Sequence, residues 1–133
     1  MAKKTPTAPE PNVDETPAQT PDPKPVTFLG SSRQGIKDFP QEARREAGYA
    51  IDALQNGKLP SIPIKPFPTI GTGASELIID TKDGWFRVFY VVKFAEGVYV
   101  LHSFQKKTNK TSKNDVETGE RRYEAMLKLR AKK

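Results

Sequence analysis

The chain has no cysteine and a single histidine among its 133 residues. The first absence excludes disulfides, thiolate zinc sites and thiol nucleophiles. The second leaves no histidine cluster to hold a metal, and neither a metal nor a cofactor is expected. No apolar run approaches the ~20 residues that cross a bilayer, so no membrane partner is expected either. The first 25 residues lack arginine and any apolar core segment, which excludes the look of a transit peptide or secretory signal. A cytoplasmic location fits these absences. Without a secretory signal, the glycosylation-like triplet at Asn109 carries no weight.

Proline, by contrast, is plentiful and unevenly placed. Seven of the twelve prolines (6, 9, 11, 17, 21, 23 and 25) fall in residues 1–25, where Val13 is the one large apolar side chain besides Met1. Such a segment cannot bury enough surface to offset an ordering cost of ~1–2 kcal/mol per residue. Residues 1–25 are therefore expected to form a disordered Pro-rich tail, with a single domain over 26–133. Setting the tail aside sharpens the charge. It holds three lysines against four acids, leaving 19 basic and 12 acidic residues in the remainder. Ten of those basic residues, against four acids, lie in 102–133. Clustering of this kind points to a polyanion, with nucleic acid the leading class.

Local patterns then predict the elements. Val26–Ser32 reads as a short strand ending in a turn, followed by a helical turn carrying Ile36 and Phe39. Pro40 opens a second helix, in which Ala43, Ala47, Ala50, Ile51 and Leu54 form one apolar face. Asn56-Gly57 ends it. "LPSIPIKPFP" has four prolines in ten residues and reads as an extended connection. Strands follow at 75–80, 85–93 and 98–104, with turns at Asp83-Gly84 and at 94–97. The connections are too short for crossovers, so this sheet is antiparallel. Ser112 is the N-cap of a last helix marked by Val116, Tyr123, Met126, Leu127 and Arg130. The fold class is α+β: a small antiparallel sheet packed by helices, in the order β-α-α-β-β-β-α.

Register decides which polar groups meet. A two-residue turn at Asp83-Gly84 sets Arg87 opposite Asp80. An even-length turn at 94–97 sets Arg87 opposite Phe104 and Phe89 opposite His102, placing Arg87, His102 and Phe104 on one face. Arg87 interrupts an apolar strand, which demands a partner. Either Asp80 supplies it across the hairpin, or the guanidinium grips phosphate. His102 could transfer a proton, though a strand-end histidine is more often a hydrogen-bonded structural group. Phe104 or Trp85 could stack a base, although both suit a core.

Together, "FLGSSRQGIKDFPQEARREAGYAIDALQNG", "IKPF", "ELIID", "FRVFYVVKF" and above all "VYVLHSFQKK" resemble phage-derived HigB-type toxins of the RelE/ParE superfamily, from about Phe28 to Leu129. The resemblance implies the toxin of a type II toxin–antitoxin pair, a metal-independent endoribonuclease that cuts mRNA on the ribosome by 2′-OH attack. Its cognate antitoxin would be a helix-turn-helix protein. The implied catalytic residues are Arg87, His102, Lys106 and Lys107, with Lys65 the implied basic residue of the loop; adding Phe104 and Lys110 from the residue reading, the expected RNA contacts are Lys65, Arg87, Phe104, Lys106, Lys107 and Lys110. Where RelE carries strand lysines, this chain has Glu76 and Asp80, so either the chemistry is rearranged, with His102 or a carboxylate as base, or the toxin is weak or aimed elsewhere. Tyr123 matches the usual C-terminal tyrosine only loosely. A ParE-like toxin acting on DNA gyrase, or a basic nucleic-acid-binding protein without catalysis, are the alternatives on the same sequence.

Overall fold

The computed structural model describes residues 22–132. Most of the expected tail lies outside them. Of its last residues, two are bonded to the fold. Lys24 exchanges hydrogen bonds with the backbone and side chain of Gln55, and Pro25 O accepts from Val98 N at 3.0 Å.

The elements run β1 (Val26–Phe28), α1 (Ser32–Lys37), α2 (Gln41–Gln55), β2 (Ile64–Pro66), β3 (Ala74–Thr81), β4 (Gly84–Val91), β5 (Val98–Lys106) and α3 (Lys113–Ala131). They build an α+β fold around a five-stranded sheet of order β1-β5-β4-β3-β2. The expected sheet is corrected in two places. β1 pairs with β5 in parallel, Val26 opposite Val98, so the sheet is mixed. That pairing joins distant parts of the chain, and no local turn signal reports it. The Pro-rich connection also contributes β2, antiparallel to β3 with Lys65 opposite Glu76. Pro66 is tolerated there because β2 is an edge strand with one side unpaired.

Helices cover the two faces unequally. α1 and α2 lie on one, where the periodic Ala43, Ala47, Ala50, Ile51 and Leu54 are all buried, with Leu77, Ile79, Phe86, Val88 and Val100 in the same core cluster. α3 lies on the other, with Tyr123 and Met126 over Phe89, Val91, Tyr99 and Leu101. Gly119 lets it approach closely, since a Cβ there would stand 2.7 Å from Ile70 Cδ1 and 2.9 Å from Phe89 Cδ2. Ser112 caps the helix as expected, its side chain accepting from Asp115 N. The last turn is held by Arg130, which lies over the Phe94 ring and pairs with Glu96 in the β4–β5 turn.

The hairpin registers fix the site. Between β4 and β5 the expected pairs form, Arg87 with Phe104 and Phe89 with His102. Beyond them a bulge adds Leu101, so Leu101 and His102 both face α3. Between β3 and β4 the register is corrected by two residues. The turn is Lys82-Asp83, with Thr81 opposite Gly84 and Arg87 opposite Ile78. Gly84, at φ 131°, supplies the positive φ as the first strand residue rather than inside the turn. Thr81 Oγ1 accepts from Asp83 N and closes the loop. A shift of two leaves every side chain on its expected face.

Candidate functional site

The alternation of β3, "ASELIIDT", sends Leu77 and Ile79 into the α1/α2 core and Glu76 and Asp80 to the opposite face. Arg87 and Phe89 of β4, and Phe104 and Lys106 of β5, share that second face. α3 covers only part of it. Lys65, Phe67, Glu76, Lys106, Lys110 and Val116 are among the residues lining a cleft of about 360 Å³, between the sheet edge and the β5–α3 loop.

Glu76 sits at the base of this cleft and is 4% exposed. Its Oε2 has no hydrogen-bond partner. Burial raises its pKa above the ordinary carboxylate value, opposed by the positive charges of Arg87, Lys106 and Lys65. A buried carboxylate without a dedicated partner is costly, and such a group is more useful to chemistry than to folding. The cations around it offset part of the cost of ionising the carboxylate and offer positive charge to an anion.

Arg87 is buried beside it. Nη1 donates to Asp80 Oδ1 at 2.8 Å and to Phe86 O at 2.9 Å, while Nε has no partner. The structural partner considered for Arg87 is thus present, along the diagonal of the hairpin. The guanidinium remains a fixed positive charge close enough to Glu76 to act on its ionisation.

His102 shares the face but is engaged elsewhere. Its ring stacks on Phe104 with centroids 4.9 Å apart, and Nε2 lies 2.8 Å from Asp115 Oδ1. Burial lowers its pKa more than Asp115 raises it. The contact is therefore a hydrogen bond from a neutral imidazole, Nε2–H donating to the carboxylate, rather than an ion pair. Asp115 also accepts from Ser112 Oγ at 2.7 Å, so His102 fastens the first turn of α3 to the sheet.

The other expected residues divide. Lys65, Lys106 and Lys110 line the cleft. Lys107 is not among its lining residues; its Nζ donates to Gln105 Oε1 at 3.1 Å. Phe104 is only 8% exposed and packs on Phe89, so it is core. Tyr123 is core too, its hydroxyl donating to Thr72 O at 2.7 Å. Residue-by-residue reading named Glu76 only as one of two strand carboxylates and did not place it, buried, in the cleft. Its alternation with Leu77 and Ile79 was the signal, because it places Glu76 on the face of Arg87. Among the described residues, no cluster of three or more His, Asp or Glu could hold a metal ion. No helix of the described residues is long and apolar enough to cross a membrane.

Fold and site thus define an α+β protein whose half-covered sheet carries a buried carboxylate in a basic cleft. The family model described as phage derived protein Gp49-like matches residues 34–124, and the chain belongs to that family. The match spans α1 to the middle of α3 and takes in Lys65, Glu76, Arg87, His102 and Lys106. No curated protein matches the chain significantly.

Proposed function

We propose that this protein is the toxin of a type II toxin–antitoxin pair and cleaves mRNA on the ribosome, in the cytoplasm, until a helix-turn-helix antitoxin restrains it. The observation that carries the reading is Glu76, buried with a free carboxylate oxygen among Lys65, Lys106 and Arg87. The membership in a phage-derived family and the "VYVLHSFQKK" resemblance support the toxin class.

The chemistry asks for little. The 2′-hydroxyl of a ribose loses its proton to the Glu76 carboxylate as its oxygen attacks the adjacent phosphorus. The bond to the 5′ oxygen of the next nucleotide breaks, that oxygen takes up a proton, and a 2′,3′-cyclic phosphate remains. A carboxyl with a raised pKa is a better base than an ordinary one. Lys65 and Lys106 flank it and meet the charge that grows on the phosphoryl oxygens, one of the two supplying the proton to the leaving oxygen. Arg87 adds a fixed positive charge beneath. His102 serves this reading by positioning the β5–α3 loop rather than by moving a proton.

The experiment is inducible expression with mapping of mRNA 5′ ends. Wild type is expected to arrest growth and generate new ends within translated messages, and Glu76→Gln to abolish both. Growth arrest with intact mRNA and altered plasmid supercoiling would replace this reading with a gyrase-directed toxin.

A further inference from the structure

Trp85 has no place in the core. It is 41% exposed, although it is the one tryptophan of the chain and immediately precedes the buried run Phe86–Val91 of β4. Its pairs across the sheet are Asp80 on β3 and Lys106 on β5, both polar, and all three share the face that carries Glu76 and Arg87. Trp85 is not itself among the residues lining the cleft, but its cross-strand partner Lys106 is. Along β4 it is four residues from Phe89, the partner of Glu76, or about 13 Å at the usual rise of a strand.

A large exposed ring costs solvation free energy unless something covers it, and two charged neighbours would not cover it well. A nucleobase would. Its flat face matches the indole, while an ammonium on one side suits its phosphate. We propose that Trp85 is a base-stacking platform for single-stranded RNA, holding a nucleotide near the one attacked at Glu76. This rests on the reading of the cleft as an RNA site and adds the residue that fixes the strand's position along it. Because stacking accepts any base face, the contact confers affinity and register with only a weak preference among bases.

The single tryptophan makes the test direct, since intrinsic indole emission reports Trp85 alone. The probe is a short 2′-O-methyl RNA, which 2′-OH attack cannot cleave, carrying a terminal fluorescein. Binding followed by fluorescein anisotropy at low salt is expected to coincide with quenching of the indole. Trp85→Ala should weaken binding about ten-fold or more, and Trp85→Phe should restore most of it. Binding that leaves indole emission unchanged, or that Trp85→Ala does not alter, would overturn the stacking role while leaving cleavage by Glu76 standing. No anisotropy change with wild type, or none of its strength lost in Lys65→Ala, would overturn the RNA-binding cleft itself and the platform with it.

Discussion

Two titratable side chains on one sheet face have opposite relations to stability. Glu76 has its pKa raised by burial, so the folded state holds the proton more tightly than the unfolded chain. The linked stability is fullest below the ordinary carboxylate pKa and declines as pH rises toward the folded value. Glu76→Gln should therefore raise the melting temperature at neutral pH, leave it nearly unchanged near pH 3–4, and abolish mRNA cleavage. Thermal melts across that range check it. His102 has its pKa lowered by burial. Its contribution is present above the unfolded value and is lost as pH falls through ~6.5 and below. His102→Gln should cost about 1–2 kcal/mol in urea unfolding at neutral pH by releasing the Asp115 hydrogen bond, and should flatten this acid loss. If it instead left stability unaltered and removed cleavage, His102 and not Glu76 would be the proton-transfer group.

Among the elements, α3 decides how much of the sheet face remains open. Its approach depends on Gly119, where a Cβ would press on Ile70 and Phe89. Gly119→Ala gains helix propensity of ~1 kcal/mol but overpacks a rigid contact. A net loss of about 1 kcal/mol or more in denaturant unfolding is expected, and a gain would show that the helix can shift outward. The same position shows where sequence reading stops. Taken alone, Gly119 weakens the helix; only the packed sheet gives it a purpose. The apolar face of α2, the Asn56-Gly57 stop, the Ser112 cap and the β4–β5 register were legible because each depends on neighbours along the chain or across one short turn. The parallel β1–β5 pair, the strand hidden among prolines and the burial of Glu76 were not. Each depends on how separate strands are brought together in the sheet, which no single local pattern reports.

Over the whole molecule, charge and shape are divided between the two faces of the sheet. α1 and α2 close one face with a continuous apolar core, while the other is left part open and lined by lysines. The strongest excess of positive charge lies in the last quarter of the sequence, and the fold returns part of it, Lys106 and Lys110, to the cleft beside Lys65. Three such phosphate contacts would release about two counterions from single-stranded RNA, at ~0.7 per phosphate. Binding to a single-stranded RNA should then fall with a log–log salt slope of about −2. Replacing Lys65, Lys106 or Lys110 by alanine should each make that slope shallower by about 0.7, with the same proportional loss for every RNA sequence. Lys107→Ala, which alters a lysine bonded to Gln105 and outside the cleft lining, should leave the slope unchanged. A slope that responds to Lys107 as strongly as to Lys65 would mean that RNA follows the general basic surface, and the cleft would lose its claim to the strand.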